Sequence, residues 1–347
     1  MKRFFTVALV AILTGTAAYS LTSRPPESNV HFSEGDFTEK PWLREFQWVI
    51  VVNRANSGAL KQSIRVYHGQ TLVQFDEIAQ YLQALQQTQD IANINDPNRK
   101  DRLDRIAELG RKMWAPGIFK VSTGRNAFES KGEHHSQHDS WSVTPTGFFV
   151  PQAFIAKHKS ESYSSKACDS FAGKILGAIL RKQLCTYMEN VTFFNGGIGL
   201  HKAIPGTEPL LGTKASGGCV RLPAALAEFL FLNLQEAKGL PVPVVHQDGT
   251  VATDASGNVL RETSHRGEWG TLDAHSALII VEDETEVGGA DFVAPSAPVV
   301  AAPVTAPVAA VPVAPVGSAP VPSSGHSITA SNELNLNTEF QLAASSL

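Results

Sequence analysis

The sequence predicts a mainly β fold with inserted and flanking α-helices, on three observations. Short runs rich in Val, Ile and aromatic residues recur along the chain, as in FQWVIVVNRA, IFKVSTGRN, WSVTPTGFFV and ALIIVED. Helical periodicity is confined to a few blocks, near residues 72–113, 165–184 and 223–239. Gly and Pro turns separate the strand-like runs, and 43% of the 347 residues are apolar, enough to bury a core.

The N-terminus reads Lys2, Arg3 and then FFTVALVAILTGTAA, a charged region followed by an apolar one with small residues Ala18 and Ser20 behind it. That is the pattern of a signal peptide over residues 1–20, cut near Ser20, and it predicts an exported protein. Residues 21–40 are rich in Ser, Pro, Glu and Gly and read as a linker. A catalytic body is expected over residues 41–289.

Its first element is FQWVIVVNRA, residues 46–55, whose Val and Ile run suits a strand buried on both faces. SIRVYHGQ turns at His68-Gly69 and makes a hairpin with it. Over residues 72–113 the period changes: Phe75, Ile78, Leu82 and Leu85, then Leu103, Ile106 and Leu109, predict two helices split by NINDPN. This is a helical insertion in a β framework. Strands resume at residues 118–126 and 141–150, with GEHHSQHD between them. His134, His135 and His138 lie close together there, but no Cys or Glu at ligand spacing completes a metal pattern, so a polar loop is expected and no metal site. No cofactor motif appears either.

Export makes the cysteines informative, because oxidising compartments pair thiols and the chain has three. Phe171, Ile175, Ile179 and Leu180 predict one continuous helix over residues 165–184. At ~1.5 Å rise per residue it would hold Cys168 and Cys185 on the order of 25 Å apart, beyond bridging. The expectation is no disulfide and a free Cys219. After the strand run YMENVTFFNGGIGLHKA comes LPAALAEFLFLNLQEAKG, a helix with Pro223 suited to its first turn and Gly239 to its cap. Residues 290–325 collapse to Pro, Ala and Val, an extended spacer, and residues 326–347 form a tail that could dock on an envelope partner. The formal charge of −4, with no basic run, argues against nucleic acid as a partner.

Chemistry concentrates in GLHKAIPGTEPLLGTKASGGCVRLP, residues 199–223. A thiol must lose its proton to attack a carbonyl, and an imidazole can take it. Cys219 is the candidate nucleophile, and His201, 18 residues upstream beyond two turns, is the candidate base. Gly217 and Gly218 permit tight backbone geometry whose amides could meet the charge of an oxyanion. Arg221 could hold a carboxylate.

The order His201, long loop, Ser216, Gly217, Gly218, Cys219, Val220, Arg221 resembles the signature of YkuD-type L,D-transpeptidases, and WVIVVNRA, IRVY, KVSTG, TPTGFF and GGIGLHKA resemble that family's strands. The resemblance implies a β-sandwich-like domain in which Cys219 attacks a peptidoglycan stem tetrapeptide, expels D-alanine and passes the acyl group from a thioester to an amine. It implies His201 as base, oriented by the Lys202 carbonyl, an oxyanion hole at Gly218 and Cys219, and Arg221 steadying the motif or the donor. Many members carry a histidine where this chain has Gly217, so the inserted helices or the histidine-rich loop could line the cleft instead. Two other readings remain at this stage: a hydrolase on the same scaffold, with water resolving the thioester, and a non-catalytic wall-binding protein.

Overall fold

The computed structural model describes residues 23–92, 99–165, 168, 185–267 and 270–285. The expected signal peptide, the helix expected over residues 165–184 apart from residues 165 and 168, the spacer and the tail lie outside them. The chain divides into Met1–Pro298 and Val299–Leu347, and every described residue belongs to the first unit. Among the described residues no helix is long and apolar enough to cross a membrane.

The fold is mainly β with helices packed on it. Its principal strands are β1 (Trp48–Asn53), β2 (Ser63–His68), β3 (Thr71–Leu72), β4 (Met113–Ala115), β5 (Ile118–Lys120), β6 (Gly147–Phe149), β7 (Ala153–Lys159), β8 (Tyr187–Asn195), β9 (Ile198–Lys202), β10 (Val220–Leu222) and β11 (Ala277–Glu282). One sheet runs β4-β5-β2-β1-β11-β6, with β3 paired to β2. A second runs β10-β9-β8-β7. Its β9 and β10 are parallel, Leu200 facing Val220 and His201 facing Arg221. A parallel pair needs a long connection, and the loop from Ala203 to Cys219 supplies it.

Alternation decides what each sheet buries. Ile50, Val52, Ile64, Val66, Ile279 and Val281 face inward with Phe194, Leu200, Val220 and Leu222 of the second sheet. Helix α4 (Ala224–Glu236) packs into the same core through Leu226, Phe229, Leu230 and Leu234, after α1 (Asp36–Glu39), α2 (Phe75–Ala92) and α3 (Arg99–Arg111) in the chain. The inserted helices α2 and α3 reach this core with Ile78, Leu82, Ile106 and Leu109. Tyr81 meets Phe229 of α4 edge-on, ring centroids 5.2 Å apart.

The other face of the first sheet corrects one expectation. Residues 21–40 were expected as a linker, yet Val30, Phe32 and Phe37 are buried against Val49, Val51, Tyr67, Leu278 and Ile280. Strand β1 is apolar on both faces, so its outer face needs a cover, and the chain's own N-terminal segment provides one. The Phe32 amide donates to Glu282 at 2.9 Å, and Arg65 pairs with the same buried carboxylate at 2.7 Å. A linker-like composition hid three aromatic or aliphatic anchors.

The disulfide expectation also fails. Cys168 and Cys185 are bonded, with Cα atoms 5.2 Å apart. The ~25 Å separation rested on a single helix joining them, and residues 169–184 between the two lie outside the described ones. Cys219 is the free cysteine.

Candidate active site

Strands β9 and β10 bring His201 and Cys219 to one face of the second sheet. Paired residues on neighbouring strands point the same way. His201 faces Arg221, and Cys219 lies two residues before Arg221, so His201, Cys219 and Arg221 share a side. Leu200, Val220 and Leu222 point the opposite way, into the core beneath α4. Cys219 packs beside Val191, Phe193 and Met188 of β8.

His201 is 2% exposed and its Nδ1 lies 2.7 Å from the Lys202 carbonyl oxygen. A carbonyl only accepts, so Nδ1 carries the proton and Nε2 keeps its lone pair. Burial, with the nearby Arg221 charge adding to it, pushes the ring down to about 4 against the helping carbonyl. The imidazole is therefore neutral at pH 7. The Lys202 side chain is paired with Glu189 at 2.7 Å.

Burial also pushes the Cys219 thiol up, opposed by the Gly199 amide and the Arg221 charge. The thiol donates weakly to the Gly197 carbonyl, Sγ to oxygen 3.7 Å, and no hydrogen bond joins it to His201. Burial thus favours the neutral form of both groups. Arg221 is half-buried and has no ion pair among the described residues.

The loop before Cys219 is stitched to the first sheet by backbone. Ser122 and Arg221 exchange amide bonds of 3.0 and 2.9 Å, and the Ser216 amide donates to Thr123 at 2.9 Å while its carbonyl accepts from Arg125 at 3.1 Å. Ser216 Oγ donates to the Cys219 carbonyl and accepts the Gly218 amide at 3.1 Å. Gly218 has φ +132°, a region that side chains rarely enter, and a Cβ there would lie 3.1 Å from the Val143 carbonyl oxygen. The Gly218 amide was expected in an oxyanion hole; here Ser216 consumes it, because the tight turn folds that donor back onto the hydroxyl two residues earlier.

Sequence reasoning missed three residues around this loop. Thr144 Oγ1 donates to the Gly218 carbonyl and accepts the Gly124 amide. Arg125 donates to both Glu129 oxygens and, at 2.6 Å, to the Ala215 carbonyl. Tyr163 sits over Gly217, its hydroxyl accepting from Arg125 at 3.2 Å. Arg125 and Thr144 fall within the strand runs KVSTGRN and TPTGFF, where a buried polar residue was a usable signal. Tyr163 carried none. The inserted helices pack against α4, whereas the histidine-rich loop reaches the Tyr163 turn, Gln137 donating to the Ser162 carbonyl at 2.8 Å.

Residues 97–245 match the family model for the YkuD L,D-transpeptidase catalytic domain. No curated protein matches the chain. Solved structures similar to it include an L,D-transpeptidase from Mycobacterium smegmatis, at 12% identity over 68% of this chain and 59% of that one, TM-score 0.29. Two from Mycobacterium tuberculosis follow: one at 12% identity over 69% and 58% with TM-score 0.32, and L,D-transpeptidase 3 at 11% over 69% and 62% with TM-score 0.31. The chain thus spans less than two thirds of their length, and likeness at this level carries no inference about activity.

Proposed function

We propose, on the match of residues 97–245 to the YkuD L,D-transpeptidase catalytic domain, that the chain is an enzyme of that kind in which Cys219 and His201 perform acyl transfer on peptidoglycan stem peptides outside the cytoplasm. One observation supports this reading above the others: a neutral, buried imidazole with Nδ1 bound to a backbone carbonyl stands on the same sheet face as the free thiol.

A turn of the Cys219 side chain from the Gly197 carbonyl toward Nε2 starts the reaction. His201 takes the thiol proton as sulfur bonds to the donor carbonyl carbon, and the carbonyl electron pair moves to oxygen. Collapse of that intermediate breaks the bond to D-alanine, whose nitrogen receives the proton from His201. A thioester on Cys219 remains. An amine then attacks it, His201 accepts the amine's proton and returns it to the leaving sulfur. The Arg221 charge steadies the anionic stages.

The neutral starting pair suits this order. A permanently ionised thiolate would need no base, whereas a buried thiol beside a neutral imidazole moves its proton only when sulfur attacks. The leader-like N-terminus supports export, and the Pro/Ala/Val-rich spacer would carry residues 326–347 toward an envelope partner.

Intact-protein mass spectrometry with a tetrapeptide donor tests the reading. Wild type should gain the acyl mass with loss of D-alanine, and Cys219→Ala should gain nothing. Crosslinked dimers should follow when an amine acceptor is added; free tripeptide as sole product would instead identify water as the acceptor. Absence of any wild-type adduct would overturn acyl transfer.

A further inference from the structure

Gly217 has no side chain, yet the space one would fill is occupied. A Cβ there would stand 1.7 Å from the Tyr163 hydroxyl oxygen and 2.5 Å from its Cζ. The phenol is therefore seated directly on the loop two residues before the thiol. Arg125 donates to its oxygen at 3.2 Å. Arg125 does not depend on that bond, since Glu129 and the Ala215 carbonyl already take its other donors. No described acceptor takes the hydroxyl's own proton. A phenol that accepts from a guanidinium is a strengthened donor with its proton unassigned.

The turn carrying Tyr163 is built to hold this position. Thr186 Oγ1 donates to the Tyr163 carbonyl at 3.1 Å, Ser164 Oγ accepts the Thr186 amide at 3.0 Å, and the Ser160 amide donates to the Thr186 carbonyl at 2.9 Å. Beyond these bonds the Cys168–Cys185 disulfide ties the segment that follows Tyr163 to the start of β8. The positive charge beside the phenol is uneven: Arg125 is compensated by Glu129, whereas Arg221 has no ion pair among the described residues and interacts with both Tyr163 and Cys219.

We propose that Tyr163 is a donor-binding residue, its hydroxyl giving a hydrogen bond to a carboxylate of the acyl donor beside Arg221, and that the Cys168–Cys185 disulfide holds it there. The proposal rests on the acyl-transfer reading above. It assigns to a residue on a distant loop the place next to the thiol that the chain's own motif leaves empty at Gly217.

Saturation kinetics of acylation test it, read by mass spectrometry on the full chain with a tetrapeptide donor. Tyr163→Phe keeps the ring over Gly217 and removes only the hydroxyl. It should raise the half-saturating donor concentration about tenfold while leaving the maximal acylation rate within about twofold. Amidating the relevant donor carboxylate should cost wild type a similar factor and cost Tyr163→Phe little more, because both changes delete one interaction. The paired Cys168→Ser/Cys185→Ser variant should raise the half-saturating concentration as well. Gly217→Ala should lower the maximal acylation rate by the clash, and adding Tyr163→Ala should recover that rate while the half-saturating donor concentration stays raised. Tyr163→Phe with wild-type saturation, or losses from Tyr163→Phe and amidation that add independently, would overturn the proposal. A wild-type protein that is never acylated removes the underlying reading instead, a different result.

Discussion

Thr144 Oγ1 donates to the Gly218 carbonyl at 2.5 Å and accepts the Gly124 amide at 2.9 Å. One buried hydroxyl thus ties the segment leading into β6, the extension of β5 and the turn before the nucleophile into a single unit. The backbone at the thiol is set by the first sheet as much as by the second.

Thr144→Val should expose the value of this link. It preserves shape but leaves a buried carbonyl and a buried amide without partners, at about 1–3 kcal/mol each. Urea unfolding should report a loss in that range or above it. Acylation should fall further than stability predicts, since Gly218 is released; unchanged acylation would show that the loop needs no such tie.

His201 makes stability depend on pH. Its folded pKa, about 4, lies below the ordinary value of 6.5, so between these values the unfolded chain binds a proton that the folded chain does not. Stability is complete above about pH 6.5 and is lost as pH falls toward 4, by on the order of 3 kcal/mol. In His201→Gln this part of the slope should vanish. Equal pH slopes for variant and wild type would contradict a buried neutral ring.

Cys219 should alkylate slowly at neutral pH. Burial raises its thiol and Arg221 opposes the rise, so the midpoint of an iodoacetamide rate profile should lie above that of a free cysteine, and Arg221→Met should move it higher still. A midpoint below neutrality would mean a preformed thiolate and a different order of proton transfer.

Phe32 tests the corrected N-terminal segment. It is 2% exposed, packed against Phe37 and Tyr67 with ring centroids 5.5 and 5.6 Å away. Phe32→Ala should destabilise the fold by about 3–5 kcal/mol in urea titration. A loss under 1 kcal/mol would restore the segment to a loose linker.

The disulfide links residues 17 apart in sequence. Its removal in Cys168→Ser/Cys185→Ser should cost about 3 kcal/mol through the freedom returned to the unfolded chain, visible as a lower Tm. No change in Tm would place those sulfurs outside the folded body.

The sequence by itself marked the main strands, the two inserted helices and the helix after Arg221, and it singled out Cys219 and His201 as the candidates for chemistry. Alternating and continuous apolar runs mark β1, β2 and β11 because strand side chains meet their surroundings residue by residue, and the glycine-rich run around Cys219 marks a backbone with unusual demands. Those signals are local. Pairing was not: Cys168 with Cys185, Phe32 with the outer face of β1, Thr144 with Gly218 and Tyr163 over Gly217 each join segments separated by turns or long connections. For the cysteines a distance inferred from local periodicity misled, since periodicity carries no record of which residues meet. Tertiary structure decided those contacts, together with the spending of the Gly218 amide on Ser216. The energy of a buried polar group depends on which distant partner reaches it, and no window of neighbouring residues records that.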